Sequence, residues 1–371
     1  MKEKRFIMPK KDLWTYLSES DKKIVMYGMG NGADKILSIC SSRGIEVSDF
    51  FASDGFVRGH LFHGRRVLSY SEAKEKYGAE NMIVLLSFAS SLPDVLANIY
   101  RIADECELYA PDVPVCGTNL FDSRFYEQNV EKISAVEDLL ADEKSKEVFG
   151  SVIGYKLSGD VKLLRETHSC FSEVYGDILH AEGFEYIADL GAYNGDTLRE
   201  IKPYAARLKS AVAFEPDRRN HKKLVAWAEA EEGFEVKAYQ NAAWDKRETL
   251  IFDGSGNRNS TLVSGDSMPV TKGARTVEVD ACSLDEVLNG ARVEYIKYDV
   301  EGAEREALCG SHKTIERYHP ALLVSLYHRS EDIFELPLLL HEKYPEYKFY
   351  MRRREYIPAW DTVLLAVKEQ L

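Results

Sequence analysis

The sequence predicts an α/β protein built from two parallel-sheet units. Two observations carry this prediction: short apolar runs alternate with segments of helical pattern, and two of these runs each lead directly into a glycine-rich turn and a helix. Strands that alternate with helices form parallel sheets with helices on their faces. The chain has 371 residues, and a domain typically takes about 150, so two domains are expected.

Composition narrows the classes of function. The formal net charge of -13 argues against a general nucleic-acid binder, which needs an excess of Lys and Arg. The basic run Arg352–Arg354 is expected to be a solvated strand edge. The longest apolar stretches, Met82–Leu86 and Ala321–Val324, are far shorter than the roughly 20 residues that span a bilayer. The basic N-terminus lacks the apolar core of a signal peptide. We therefore expect a cytoplasmic protein without a membrane span.

The first predicted unit, residues 1–118, opens with a strand at Lys23–Tyr27 and the glycine turn Gly28–Ala33. The spacing of the turn is close to that of dinucleotide-binding folds, which predicts a small Rossmann-like domain. Asp54, after the next strand, could accept hydrogen bonds from a ribose. A nucleotide or nucleotide-sugar site at Gly28–Ala33 and a docking or dimerising module, with a possible homo-oligomer, both remain open as its role. Its other predicted elements are strands at Val47–Ala52, Met82–Ser87 and Glu107–Tyr109 and helices at Ser71–Tyr77 and Pro93–Ala103.

A helical connector is predicted for residues 119–183, and a larger unit for residues 184–371. The connector carries helical patterns at Val130–Lys146 and Val161–Glu166. Between Lys246 and Asp280, alternation around Gly, Ser and Asn predicts an inserted hairpin with a mobile loop. Strands of the larger unit are predicted at Tyr186–Leu190, Ser210–Phe214, Glu235–Gln240, Val293–Asp299 and Ala321–Tyr327, followed by an antiparallel hairpin of Lys348–Arg352 with Thr362–Val367.

The sharpest motif is the turn Asp189–Thr197, which directly follows the first strand of the larger unit. Glu215 ends the next strand, where an acidic side chain can accept hydrogen bonds from ribose hydroxyls. NAD is disfavoured because the spacing is Gly191-x-x-x-Gly195 and acidic Asp196 lies where a pyrophosphate would approach. Carboxylates suit a cationic ligand instead. S-adenosylmethionine carries a sulfonium and an ammonium, so we expect it as the cofactor.

These stretches resemble the FkbM-type S-adenosylmethionine-dependent methyltransferases. The resemblance covers about residues 170 to 369, and its most distinctive part is Ile296–Glu304. It implies a class I methyltransferase sheet, mostly parallel with a terminal antiparallel hairpin, a layout that other folds could share. The other matching stretches are Asp189–Thr197, Ala213–Asp217, Asn241–Asp245, Leu284–Leu288 and Pro320–Tyr327. The resemblance implies donor contacts by Gly191, Ala192, Asn194, Gly195, Asp196 and Thr197 at the methionine part, Glu215 and Pro216 at the ribose, Asn241, Ala242 and Ala243 at the adenine, and Asp299 beside the methyl group.

The predicted activity is O-methylation of a glycan, a nucleotide-linked sugar or another hydroxylated small metabolite. His328, after the fifth strand of the larger unit, is a candidate general base, although a helix-capping or exposed loop histidine fits the sequence equally. Asp299 is assigned to the site, and Glu301 is left open between a site role and a helix cap. No metal-binding residues are assigned, and the sequence leaves the metal requirement open. Two alternatives remain: an NAD-linked or nucleotide-sugar enzyme acting through the first unit, and a non-catalytic binding protein on a methyltransferase scaffold.

Overall fold

The computed structural model describes residues 9–55, 57, 59, 61–253 and 276–368. In its first unit, strands with almost wholly buried side chains alternate with helices, the burial that a parallel sheet covered on both faces imposes. The sheet order is β5-β2-β1-β6-β7 with all pairs parallel, as predicted, and β3 and β4 form a small antiparallel ribbon. The elements are α1 (Leu13–Glu19), β1 (Lys23–Tyr27), α2 (Asn31–Ser42), β2 (Val47–Ala52), β3 (Leu61–Phe62), β4 (Arg65–Arg66), β5 (Leu68–Ser69), α3 (Tyr70–Tyr77), β6 (Met82–Leu86), α4 (Pro93–Glu105) and β7 (Glu107–Tyr109).

Helices α5 (Ser123–Leu139) and α6 (Glu143–Ser158) follow, and each begins at an aspartate that caps its first turn. The helical pattern predicted at Val130–Lys146 is interrupted between the two helices. The chain leaves the helix there because the Ala141 amide donates to the Phe349 carbonyl and Asp142 caps α6. Short helical segments then lead to the second unit: 3₁₀ helices at Val161–Leu164 and Ala181–Gly183 and a π-helix at Ser172–Ile178.

The second unit is a seven-stranded sheet of order β10-β9-β8-β14-β15-β17-β16. Its strands are parallel except for β17, which pairs antiparallel with both β15 and β16, so the predicted terminal hairpin is confirmed. The elements are β8 (Tyr186–Leu190), α7 (Asp196–Ile201), β9 (Ser210–Phe214), α8 (Arg218–Ala230), β10 (Glu235–Tyr239), β11 (Ala242–Ala243), β12 (Glu248–Asp253), β13 (Thr276–Cys282), α9 (Leu284–Leu288), β14 (Tyr295–Tyr298), α10 (Glu304–Cys309), α11 (His312–Tyr318), β15 (Ala321–Ser325), α12 (Asp332–Lys343), β16 (Lys348–Arg353) and β17 (Thr362–Val367).

The predicted insertion is also present as a hairpin. Strands β12 and β13 pair antiparallel, and β11 joins the other side of β13. The loop predicted at Asp253–Asn259 and Ser264–Ser267 lies outside the described residues, apart from Asp253 at the end of β12.

The helical connector and the second unit are joined by buried charges as well as by apolar packing. Helix α6 packs on β16 and α5 packs on α12. Arg352 in β16 is buried and forms ion pairs of 2.6 Å with both Asp142 and Glu173. Arg353 is buried too, and its guanidinium donates to the carbonyls of Leu164 and Tyr356. The expectation that the basic run is a solvated edge is therefore wrong, because the connector covers it. In the described part of the chain, no helix has the length and apolar character needed to cross a membrane.

Candidate functional site

The turn after β8 is held at the carboxyl edge of the sheet by backbone hydrogen bonds. The amides of Gly191 and Ala192 both donate to the carbonyl of Phe214 at the end of β9, and the Asp299 amide donates to the carbonyl of Leu190. Gly191 has a φ of 86°, and a Cβ there would lie 1.9 Å from the Asp299 carbonyl oxygen. Only glycine therefore permits this close approach of two strand ends.

A buried carboxylate and a buried ammonium lie beneath this turn. Asp189 is 1% exposed, and the Lys297 Nζ donates to its Oδ1 at 3.2 Å and to the Gly191 carbonyl at 3.0 Å. The second carboxylate oxygen, Oδ2, is buried without a hydrogen-bond partner. Burial raises the pKa of Asp189 to about 6 against the opposing charge of Lys297. A buried acceptor of this kind is costly unless a ligand completes it.

Glu215 stands at the end of β9 and faces the turn. Its carboxylate accepts hydrogen bonds from the backbone amides of Tyr193 at 2.8 Å and Asp217 at 2.9 Å. Burial raises the pKa of Glu215 to about 8, although these two amide donors oppose the shift. Each oxygen has a lone pair left for a further donor, which is the geometry that ribose hydroxyls need.

The other residues that the sequence predicts to contact the methyl donor follow β8, β9 and β10. Ala192, Gly195 and Thr197 are buried, whereas Asp196 is exposed at the first position of α7. The Asn194 side chain accepts a hydrogen bond from Arg199, and that of Asn241 donates to the Asp280 carbonyl. Pro216 is partly buried after β9, and Ala242 and Ala243 are buried in β11.

A second group of charges lies at the ends of β14 and β15, centred on His328. This side chain is fully buried, and its Nδ1 is 2.9 Å from Glu304 Oε1. Its Nε2 lies 3.6 Å from both Asp299 Oδ1 and Glu301 Oε2. The Tyr327 hydroxyl donates to Asp299 Oδ1 at 2.8 Å. The structure thus brings the two predicted catalytic residues, His328 and Asp299, together.

The protonation states within this second group follow from its charges. Burial alone would lower the pKa of His328, but the carboxylates of Glu304, Glu301 and Asp299 outweigh it and raise the pKa to about 10. Burial raises the pKa of Glu301 to about 7 against the attraction of His328. Asp299, Glu304 and His328 each offer one side-chain atom of a kind that can bind a metal ion, and these three atoms lie within 4.8 Å of one another. The raised pKa of His328 favours the protonated imidazole, and we interpret the three residues as an ion-pair cluster.

Sequence reasoning did not single out Lys297, Glu304 or Tyr327. A detectable signal was present for Lys297, because a lysine in the middle of an otherwise apolar strand needs a buried partner. Glu301 was left open, and the structure adds that it has a φ of 54° and that its side chain is 34% exposed. A positive φ is unusual for a residue with a side chain and is concentrated at functional sites.

The first unit's glycine turn differs from the second in what fills it. A Cβ at Gly32 would lie 2.1 Å from the Ser87 carbonyl oxygen, and one at Gly28 would lie 2.6 Å from the Phe88 ring. Asp54, the predicted ribose partner, accepts hydrogen bonds from the backbone amide and hydroxyl of Ser71. The turn is thus packed by its own chain, and its acidic residue is bound by α3.

Comparison with known proteins identifies the second unit. Residues 189–358 match the family model of the methyltransferase FkbM domain. The structure resembles a methyltransferase FkbM from Methylobacillus flagellatus KT with a TM-score of 0.69 and 18% identity, covering 97% of this chain and 94% of that one. At that identity, the likeness establishes the fold, which includes the first unit. No curated protein matches the chain.

Two further solved structures show weaker likeness. Aeropyrum pernix fibrillarin, in complex with S-adenosyl-L-methionine, gives a TM-score of 0.33 at 11% identity, covering 51% of this chain and 69% of that chain. A putative methyltransferase from Streptococcus mutans, in complex with S-adenosylhomocysteine, gives 0.34 at 10%, covering 54% and 99%. At TM-scores this low, neither likeness supports a conclusion about this chain. The family model and the fold together show that the chain contains a methyltransferase domain of FkbM type in residues 189–358.

Proposed function

We propose that the protein is an S-adenosylmethionine-dependent O-methyltransferase whose donor site is the edge formed by β8, β9 and β14. One observation carries this proposal: Asp189 has a buried carboxylate oxygen without a partner, and Glu215 presents free lone pairs from the next strand. An ammonium group satisfies the first, and ribose hydroxyls satisfy the second. Both groups occur in S-adenosylmethionine, which supplies a methyl group on a sulfonium when it is bound.

The chain's own residues have two tasks in such a reaction. Asp189 and Glu215 position the donor, and the ends of β14 and β15 position the acceptor hydroxyl in line with the methyl carbon. Alignment of this kind accounts for much of the rate in a displacement reaction. The buried Nζ of Lys297 lies 3.2 Å from Asp189 Oδ1 and 3.5 Å from Asp299 Oδ2. It therefore holds both carboxylates in place.

We propose that Glu301, rather than His328, accepts the proton that the acceptor hydroxyl loses. A buried imidazole with a pKa of about 10 already carries its proton at neutral pH and cannot accept another. Glu301 has a pKa near 7 and is the most exposed carboxylate of the cluster at 34%, against 27% for Asp299 and 1% for Glu304. His328 then acts as a positioning residue, because its charge holds the surrounding carboxylates.

Calorimetric titration with S-adenosylhomocysteine tests the donor site. We expect micromolar binding to the wild-type protein and a loss of roughly 10-fold or more in affinity for Glu215→Ala, since leaving a buried hydrogen-bonding group without its partner costs about 1–3 kcal/mol. The matched control is Glu232→Ala, at an exposed position after α8, which should bind like wild type. Binding of NADH instead of S-adenosylhomocysteine would contradict the proposal. Circular dichroism verifies that both variants fold.

A screen of hydroxylated acceptors with the same protein, read out as S-adenosylhomocysteine formation, tests the reaction. With a turned-over acceptor, Glu301→Gln should lower kcat and remove the rise of kcat near pH 7. An unchanged pH profile in that variant would exclude Glu301 as the proton acceptor.

A further inference from the structure

The segment of residues 110–119, which joins β7 to α5, contacts both loops that carry the charged cluster. Cys116 lies within this segment and is 3% exposed. Its backbone amide donates to the carbonyl of His328 at 2.9 Å. Its thiol donates to the carbonyl of Glu301, with Sγ 3.0 Å from the oxygen. One residue therefore joins the loop after β14 to the loop after β15.

The loop after β14 has an unusual backbone that needs such support. Glu301 and Gly302 have φ values of 54° and 92°. A residue with a side chain keeps a positive φ only where its surroundings hold it there. The two consecutive carbonyls are each bound by a side chain, that of Glu301 by the Cys116 thiol and that of Gly302 by Arg329 Nε at 3.1 Å. The packing is close, because a Cβ at Gly302 would lie 2.9 Å from Cys116 Sγ.

The 110–119 segment is itself fixed on both sides of Cys116. Before it, Asp112 forms an ion pair of 2.9 Å with Lys156 of α6, and both side chains are buried. Separating such a pair would leave a charge buried without its partner, so the pair resists movement. After it, the Asn119 carbonyl accepts a hydrogen bond of 2.6 Å from the Ser330 hydroxyl. Cys116 therefore gives the Glu301 loop a fixed point of contact.

The position of Glu301 among its charged neighbours determines its affinity for a proton. Its Oε2 lies 3.6 Å from His328 Nε2. The other charged groups that act on this carboxyl are Asp299, Glu304 and Lys297. Burial raises the pKa of Glu301 to about 7, and the attraction of His328 is the largest opposing effect. If the loop moved toward water, the loss of burial would dominate, and the pKa would fall toward its ordinary value of 4.5.

We propose that Cys116 is a positioning residue for Glu301: its thiol and its amide hold the loop of Glu301 against the loop of His328, in the arrangement in which Glu301 accepts the proton of the acceptor hydroxyl. The inference rests on the proposed function, because Cys116 has this task only if Glu301 is the base. It extends the site to a part of the chain outside residues 189–358, which match the family model.

Carbon NMR of the full chain, with glutamate labelled by carbon-13 at Cδ, measures the proton affinity of Glu301 without an acceptor. The Glu301 resonance is the one that titrates near pH 7 in the wild type and is missing in Glu301→Gln. We expect Cys116→Ala to lower its midpoint by about one pH unit or more. Cys116→Ser should keep the midpoint close to that of the wild type, because its hydroxyl can donate to the same carbonyl. Glu215, with a pKa of about 8, is an internal reference that should not move.

Cys40→Ala is the matched control, because Cys40 is 1% exposed in α2 and packs in the core of the first unit. The same substitution there should lower stability without moving the Glu301 midpoint. Cys116→Val keeps the site filled but cannot donate, and it repeats the test if the alanine variant does not fold. An unchanged midpoint in the Cys116 variants without a donor, or an equal shift in Cys40→Ala or Cys116→Ser, overturns the inference.

Titration of each protein with S-adenosylhomocysteine separates this inference from the proposed function. Donor binding to the wild type, together with an unchanged Glu301 midpoint in Cys116→Ala, overturns the positioning role alone. Absence of donor binding to the wild type overturns the proposed function. If Glu301→Gln removes no resonance that titrates near pH 7, the inference fails together with the assignment of Glu301 as the base.

An acceptor found in the screen gives a kinetic readout of the same role. Cys116→Ala should lower kcat by about 10-fold or more and leave the KM of the acceptor unchanged, since a misplaced base affects the reaction step rather than binding. Cys116→Ser should restore most of kcat. A raised KM with an unchanged kcat would contradict a role in positioning the base.

Discussion

The molecule contains two glycine turns that begin in the same way and differ in what surrounds them. Both follow the first strand of a parallel sheet and lead into a helix. In the turn Gly28–Ala33, the chain's own Ser87 and Phe88 approach the glycines, and Asp54 is bound by Ser71. In the turn Gly191–Thr197, a carboxylate oxygen below the turn has no partner.

The difference shows that glycine spacing indicates where two backbone segments come close together. It does not show whether that contact serves packing or ligand binding. At Gly32, an added Cβ would meet the carbonyl oxygen of Ser87, the residue that follows β6, so this glycine is needed for packing. At Gly191 the neighbour is a carbonyl too, but the carboxylate of Asp189 below the turn keeps one buried oxygen without a hydrogen-bond partner. The unsatisfied acceptor of Asp189, rather than the glycine spacing, is therefore the feature on which we base the proposed donor site.

Replacing Gly191 or Gly32 by alanine should give the largest difference between the two turns, measured as affinity for S-adenosylhomocysteine. Gly191→Ala forces apart the ends of β8 and β14, because its Cβ would lie 1.9 Å from the Asp299 carbonyl oxygen. We expect affinity for S-adenosylhomocysteine to fall by about 100-fold or more, as roughly 3 kcal/mol of strain and lost contacts implies. Gly32→Ala should lower the melting temperature and leave donor affinity within about 2-fold of wild type. Equal losses of donor binding in both variants would contradict the distinction.

The charged cluster behind the second turn should give an effect of similar size, on stability rather than on donor binding. His328→Asn leaves Glu304 buried without its cation, which should cost about 3–5 kcal/mol at pH 6. The pKa of His328 is raised from 6.5 to about 10 in the folded protein, so its contribution is fully present below pH 6.5 and is lost as pH rises through 10. The difference in unfolding free energy between wild type and variant, from urea titrations at pH 6, 8 and 10, should shrink accordingly. A difference independent of pH would show that the imidazole is not charged.

Glu215 should give a pH effect on stability of the same direction as His328, but at lower pH. Its pKa is raised from 4.5 to about 8, so the folded state holds the proton more tightly than the unfolded chain. The unfolding free energy therefore falls as pH rises from 4.5 to 8 and then levels off. Glu215→Gln should remove a fall on the order of 3 kcal/mol. Urea titrations of both proteins at pH 5 and pH 8 measure it, and parallel curves would contradict the shifted pKa.

The sequence predicted the strands well because buried parallel strands are continuous apolar runs. Tyr186–Leu190, Ser210–Phe214 and Thr362–Val367 have the predicted limits, and the terminal hairpin pairs as expected. The break of the helix predicted at Val130–Lys146 and the burial of Arg352 were not predictable, because both depend on the contact between the connector and β16, which is distant in sequence.

The sequence indicated which residues lie together at the candidate site, but not the charges that they carry. The spacing of Gly191 and Glu215 predicted a donor-binding edge, which stays a prediction, and His328 and Asp299 do lie together. The charge on the imidazole depends on Glu304 and Glu301, which approach it only because α10 follows β14 so closely. The base assignment of His328 from sequence rested on an ordinary pKa. Once the neighbouring carboxylates are known, Glu301 becomes the better candidate.

The smallest effect is expected where the first turn most resembles the second in sequence. Asp54 stands after β2 as Glu215 stands after β9, but it is exposed and accepts hydrogen bonds from Ser71 at the start of α3. Asp54→Ala should therefore cost about 0.5–1 kcal/mol of unfolding free energy, as the loss of an exposed helix-end hydrogen bond does. Affinity for S-adenosylhomocysteine, NADH and UDP-glucose should be the same as in wild type, measured by calorimetry. If NADH or UDP-glucose binds the wild type and Asp54→Ala weakens that binding, the first turn is a nucleotide site after all, and the contrast between the two turns fails.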